Sequence, residues 1–240
     1  LVDAGYTVSG SDGNKVYPPM SDYLDSIGIQ PMEGFHASNQ DHNPDLVVIG
    51  NVVRATYDEA VTVLERDLPY MSFPSLLGAR FLAEKRNIVV AGTHGKTTTS
   101  SMLAWILEYA GLNPGYLIGG VPGNFGVSAR LGETPFFVVE ADEYDTAFFD
   151  KRSKFIHYQP NVLILNNLEF DHADIFRDLE DVQRSFRHFF RVMPASGYAL
   201  VNGDDDNIAA ILPAPWTQVI RVGLGSDNDL QITNFQKLLR

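Results

Sequence analysis

The residues with the clearest chemical capacity form one run, Ala91-Gly92-Thr93-His94-Gly95-Lys96-Thr97-Thr98-Thr99. Gly92 and Gly95 let the backbone curl so that successive N–H groups point inward at an anion. Lys96 adds a cation that can reach terminal phosphates, and Thr97 offers a hydroxyl to magnesium. The usual G-x-x-x-x-G-K-[ST] loop would place glycine at position 90, where this chain has Val90, so the run is a shortened G-T-x-G-K-T form. The bland alternative is a chance Gly-Lys-Thr turn. A buried-strand pattern in front, Asn87-Ile88-Val89-Val90-Ala91, and a helix pattern behind, Thr98 to Ala110, favour an ATP-phosphate-binding loop over 92–98.

Phosphoryl transfer also requires groups that hold a metal. Glu140 follows the strand pattern Phe136-Phe137-Val138-Val139 and opens Glu140-Ala141-Asp142-Glu143-Tyr144-Asp145. In a doubly wound sheet, ligands gather outside the carboxyl ends of strands, which is where Glu140 should sit. A solvated acidic turn is the competing explanation. A third polar cluster, Asn166-Asn167-Leu168-Glu169-Phe170-Asp171-His172, follows Val162-Leu163-Ile164-Leu165 and makes His172 available as an imidazole ligand. The glycine-dense stretch Gly119 to Gly126, containing Asn124, reads either as a loop over a substrate or as a plain surface turn. Ser11 and Asp12 close the first strand pattern, where Rossmann-like units meet a ribose or nucleotide. His36, His42, His157 and His188 have no motif spacing and receive no role.

The elements that must position these groups alternate. Apolar runs at 45–50, 87–91, 136–139, 162–165, 198–201 and 219–222 are separated by helix patterns at 57–66, 76–84, 98–110 and 182–192. Strands apolar on both faces, alternating with helices, predict an α/β fold with a mainly parallel sheet covered on both sides. A short charged turn at Lys85-Arg86-Asn87 suggests two domains, a Rossmann-like unit at 1–86 and an ATP-binding unit at 87–240. Leu1 to Gly5 reads as a helix tail with a glycine C-cap, followed directly by a strand at Tyr6 to Gly10, and Leu230 to Thr233 reads as another strand. These ends suggest a fragment of a longer protein. With 45% apolar residues the chain can bury a core, and no apolar run approaches the roughly 20 residues that span a bilayer. A net charge of -12 argues against nucleic acid as the main partner, which needs a basic surface. No cysteine is present, so disulfide and thiolate chemistry are excluded. No segment resembles a secretory signal, which makes the cytoplasm the default compartment.

Taken together, Gly92-Thr93-His94-Gly95-Lys96-Thr97-Thr98, Glu140-Ala141-Asp142-Glu143 and Glu169-Phe170-Asp171-His172-Ala173-Asp174 resemble the Mur ligases of bacterial peptidoglycan metabolism, from the first strand to about Val222. The stretches 148–155 and 166–176 look most like the branch that joins UDP-N-acetylmuramate to a murein tripeptide, L-alanyl-γ-D-glutamyl-meso-diaminopimelate, in cell-wall recycling. The branch that uses L-alanine as the amine is the alternative. The resemblance implies ATP-dependent amide-bond formation through an acyl phosphate. It implies that Lys96, Glu140 and His172 are catalytic, that Thr97, Glu140 and His172 hold Mg2+, and that Asn124 contacts the acceptor or phosphate, while Ser11 and Asp12 are expected to contact substrate from their strand-end position.

The match has departures. Several Mur ligases carry a metal-bridging carbamylated lysine after the histidine motif, whereas the corresponding helix here has Arg184, Arg187 and His188. The family's N-terminal UDP-pyrophosphate loop would precede Leu1, and its C-terminal domain would follow Arg240. The given chain is therefore expected not to complete ligation by itself. A folylpolyglutamate-synthase-like ligase is disfavoured by the residues before Asn87. A small-molecule kinase or a switch would explain the loop at 92–98 but not the glycine-dense loop or the Asp171-His172 cluster, whereas a non-catalytic nucleotide-binding module stays open for a fragment.

Overall fold

The computed structural model describes residues 1–18, 20–171 and 175–233. Backbone contacts divide the chain into two compact units, Leu1–Ser72 with Ala147–Phe149, and Phe73–Thr146 with the residues from Asp150 onward.

In the first unit, Val2–Ala4 forms one 3-10 turn closed by Gly5 at φ 84°, which agrees with the glycine-capped helix tail read from the sequence. The strand predicted at Tyr6 to Gly10 does not pair there. Its ladder begins later, with Ser11–Asp12 parallel to Met32–Glu33. None of residues 6–10 is buried, so their apolar members have no face to cover. Val47–Ile49 pairs in parallel with Tyr70–Ser72. The helix Asp58–Glu65 buries Ala60, Thr62 and Val63, of which Ala60 and Val63, three residues apart, share one face.

The second unit is built on an eight-stranded sheet. Its order is Leu230–Gln231, Gln218–Gly223, Tyr198–Asn202, Val162–Leu165, Arg86–Ala91, Phe136–Glu140, Gly115–Leu117 and Ala129–Arg130. The described strands run parallel apart from Ala129–Arg130, which is antiparallel to Gly115–Leu117. Arg86–Ala91 lies between Val162–Leu165 and Phe136–Glu140, with Ala91 opposite Leu165 and Val90 opposite Glu140. Three strands therefore end side by side, and the three polar clusters begin at those ends.

Alternation along Phe136–Glu140 sends Phe137 and Val139 to one core cluster and Val138 to another, so both faces of the sheet are covered. On one face Leu179–Arg191 buries Val182, Phe186, Phe189 and Phe190, and Phe155 stacks on Phe189 with ring centroids 4.3 Å apart. This helix starts before the predicted Val182 because the Asp178 side chain accepts the Asp181 N–H and caps it. On the other face Lys96–Tyr109 places Ala104 against Tyr116, Ile118 and Val138. The helix predicted over 76–84 is instead α-helical at Phe73–Leu77 and widens to a π turn at Gly78–Leu82. A Cβ on Gly78 would collide with the His157 carbonyl oxygen, so only glycine allows this approach.

Among the described residues, no helix is long and apolar enough to cross a membrane.

Candidate nucleotide and metal site

The strand Arg86–Ala91 turns at Gly92, with φ 131°, and again at Gly95, with φ 78°, before the helix opens at Lys96. Both values lie where side chains are disfavoured, which accounts for the two glycines of the shortened loop. A Cβ on Gly92 would also meet the Asn167 carbonyl oxygen at 2.9 Å. The loop thus curls tightly against the neighbouring strand's end.

That neighbour holds the loop through a network the sequence did not single out. The Asn167 side chain accepts the His94 N–H at 2.7 Å and donates back to the His94 carbonyl at 3.2 Å. The Thr93 N–H donates to the Asn167 carbonyl at 3.2 Å. Asn166 donates to the His94 carbonyl and to the Thr99 hydroxyl. The Thr93 hydroxyl takes the Glu169 N–H at 2.8 Å and donates to the Glu169 carbonyl. The amides of Thr93 and His94 are therefore committed inside the protein. The amides of the helix's first turn, from Lys96 on, are the ones a helix leaves without internal acceptors, an arrangement able to hold an anion. Asp205 extends the brace by accepting the Leu168 N–H at 2.9 Å.

At the third strand end, Glu140 is half-buried and joins two parts of the site. Its Oε1 accepts the Thr97 hydroxyl and its Oε2 accepts the Gly119 N–H, each at 2.7 Å. The glycine-dense loop thus starts on Glu140. A Cβ on Gly119 would touch that carboxylate at 3.0 Å. Farther along, Phe125 packs edge-on to Trp105, tilts on Tyr116 and lies under the Arg130 guanidinium, while Asn124 beside it is exposed. Lys96 turns back onto Gly92 and Thr93 carbonyls and onto Glu143. His94 is exposed and lies 3.6 Å from Glu169.

The donor set suits magnesium. A carboxylate and a hydroxyl, both hard oxygen ligands, already stand together beside the loop, and magnesium commonly takes one or two protein oxygens while keeping phosphate and water ligands. No cluster of three or more His, Cys, Asp or Glu residues able to hold a metal occurs among the described residues. His172 lies outside the described residues. Ser11 and Asp12 belong to the first unit. The Ser11 hydroxyl donates to Glu59 Oε2 at 2.7 Å, and Glu59 also takes Asn39 and Gln40 side-chain amides. Asp12 is exposed and caps the Asn14 N–H.

A second polar chain, missed in the sequence, runs through His157. Its Nδ1 meets the Ser75 hydroxyl at 3.2 Å and its Nε2 meets Asp150 Oδ2 at 3.0 Å. The Arg152 side chain, hydrogen-bonded to Asp150, brings that carboxyl down to about 2, while burial lowers the His157 ring. The three members lie at separations of 7 and 82 residues, so no local spacing could reveal them.

The family described as the Mur ligase middle domain matches residues 90–239, and the Mur ligase family catalytic domain matches residues 1–85. The chain belongs to the Mur ligase family. It is 51% identical over 226 residues to the UDP-N-acetylmuramate–L-alanyl-γ-D-glutamyl-meso-2,6-diaminoheptandioate ligase of Escherichia coli (strain K12), covering 94% of this chain and 48% of that protein. Identity to the UDP-N-acetylmuramate–L-alanine ligase of Geotalea uraniireducens is 35% over 234 residues, 98% of this chain and 49% of the relative. Among solved structures, UDP-N-acetylmuramate:L-alanyl-γ-D-glutamyl-meso-diaminopimelate ligase from Neisseria meningitides matches with TM-score 0.88 and 52% identity, over 92% of this chain and 71% of that one. The chain spans about half the length of the curated relatives it matches. The Mur ligase fold accounts for the mostly parallel sheet and for the clustering of the loop, Glu140 and the Asn166–Asp171 segment at adjacent strand ends.

Proposed function

We propose that this chain is the nucleotide-binding and muramate-binding part of an ATP-dependent ligase that joins UDP-N-acetylmuramate to L-alanyl-γ-D-glutamyl-meso-diaminopimelate. The observation that carries the reading is the convergence of the 92–98 loop, the Thr97–Glu140 pair and the Asn166–Asp171 segment at three neighbouring strand ends. Preference for the tripeptide over L-alanine rests on the identity of 51% against 35% to the two kinds of ligase. In this reading residues 1–86 hold the UDP substrate, with Ser11 and Asp12 in contact, and residues 87–240 hold ATP.

The chemistry follows from charge placement. The lactyl carboxylate of UDP-N-acetylmuramate takes the γ-phosphoryl group of ATP, and ADP leaves. The amine of the tripeptide then attacks the acyl-phosphate carbonyl, and phosphate departs as the amide forms. Lys96 and the first-turn amides of Lys96–Tyr109 neutralise the transferring phosphoryl group. Thr97 and Glu140 hold magnesium, which when bound draws negative charge from the phosphate oxygens. His172 is assigned to a second metal on the strength of the family resemblance. Asn124, exposed at the end of the glycine-dense loop, contacts the acceptor carboxylate or phosphate. The cytoplasm is the compartment this reading implies.

The test is ADP release by the full-length protein. Release that requires both UDP-N-acetylmuramate and the tripeptide supports the ligase, and Lys96→Ala should abolish it. Release without any amine points to a kinase or a switch. Activity with L-alanine that matches or exceeds activity with the tripeptide overturns the choice of branch.

A further inference from the structure

Lys96 does not project into the anion site. Its ammonium donates to the Gly92 carbonyl at 2.8 Å, to the Thr93 carbonyl at 3.2 Å and to Glu143 Oε2 at 3.2 Å. An ammonium group has three donors, and all three are spent inside the protein. The two side chains are 11% and 3% exposed, so the pair is shielded from water and salt.

The neighbouring acidic groups are otherwise engaged. Glu140 serves Thr97 and Gly119, and Asp142 lies 3.9 Å from Lys154. Of the three acidic residues in Glu140-Ala141-Asp142-Glu143, Glu143 is the one whose charge meets Lys96. We propose that Glu143 is the counter-ion that holds Lys96 back against the loop, and that the phosphates of a nucleotide must replace it. Glu143 is therefore a positioning residue that sets the cost of bringing Lys96 onto the phosphates. This deepens the functional reading above and rests on it, because it takes Lys96 as the phosphate-binding cation.

Two features make the exchange feasible. The carbonyls of Gly92 and Thr93 are neutral acceptors, which a phosphate anion outcompetes for an ammonium. Glu143 also has an interaction besides the one with Lys96, so the residue is not held by the lysine alone. The contact competes with the nucleotide's phosphates for the same ammonium. Weakening it should therefore raise nucleotide affinity, whereas a merely structural role would lower it.

The experiment measures ATP and adenosine affinity for the chain and for Glu143→Gln, which keeps the shape and an oxygen acceptor while removing the charge. ATP should bind the variant about tenfold more tightly, equivalent to about 1.4 kcal/mol, with adenosine affinity unchanged. Glu143→Asp keeps the charge on a shorter arm and should shift the ATP-to-adenosine ratio the same way by a smaller factor, which covers a glutamine variant that does not fold. An unchanged or reduced ratio in the folded variant overturns the proposal. If the unsubstituted chain binds ATP no better than adenosine, the phosphate-loop reading fails instead.

Discussion

The hydroxyl of Thr97 donates to one oxygen of Glu140 and the backbone of Gly119 donates to the other, both at 2.7 Å. One carboxylate thus links the phosphate loop's helix, the end of a neighbouring strand and the glycine-dense loop. If this pair holds magnesium, Glu140→Gln should leave ATP binding without magnesium close to that of the unsubstituted chain. The gain in affinity on adding magnesium should fall about tenfold. Calorimetric titration with and without a chelator measures both, and an undiminished magnesium effect would remove Glu140 from the metal site.

Asn167 braces the loop through both ends of its side-chain amide. Asn167→Ala leaves the backbone groups of His94 without these partners, which should cost about 1–3 kcal/mol of stability in urea unfolding. ATP affinity should weaken with it. Asn167→Asp can accept the His94 N–H but cannot donate to the His94 carbonyl, so its stability should fall between the two.

The Ser75–His157–Asp150 chain predicts acid sensitivity in two steps. Burial lowers the His157 pKa, so the unfolded chain takes up that proton more readily, and stability declines as pH falls below about 6.5. Asp150 is held at about 2, chiefly by its hydrogen bond from Arg152. Its contribution is present above about pH 3.9 and is lost as pH falls toward 2. Urea midpoints measured from pH 7 to pH 3 should show both declines. His157→Gln should flatten the upper one, and Asp150→Asn the lower.

Phe189 is fully buried and stacks on Phe155 beneath the central sheet. Phe189→Ala should cost about 3–5 kcal/mol, read as a lower urea midpoint with an unchanged slope.

Gly92→Ala tests the tight turn independently of charge. The added methyl group would meet the Asn167 carbonyl oxygen at 2.9 Å, at a φ of 131° that side chains rarely adopt. Loss of ATP affinity together with about 1–3 kcal/mol of stability is expected. Thermal melting with and without ATP separates the two effects.

The sequence by itself determined the elements that carry local chemistry. Gly92 and Gly95 announce a turn with positive φ, Val162 to Leu165 is apolar on both faces, and Phe186, Phe189 and Phe190 mark a buried helix face, because backbone sterics and hydrophobic periodicity act over a few residues. It also indicated which strand ends bear polar groups, and hence the loop and Glu140. It placed a strand at Tyr6 to Gly10, whereas the assigned ladder starts at Ser11 and reaches back only to the Gly10 carbonyl, which accepts the Met32 N–H, since pairing depends on what lies alongside. Tertiary structure decided the partnerships. Parallel pairing brings Asn167 to His94 across 73 residues and Glu143 to Lys96 across 47, and packing joins Ser75 to His157 across 82. No local spacing encodes such contacts, because a side chain's partner is set by the register of neighbouring strands and by which faces the core leaves open. The loop at 92–98, the proposed phosphate site, was legible as a glycine turn between strand and helix, but its ammonium turned inward onto Glu143 was a fact of the folded chain.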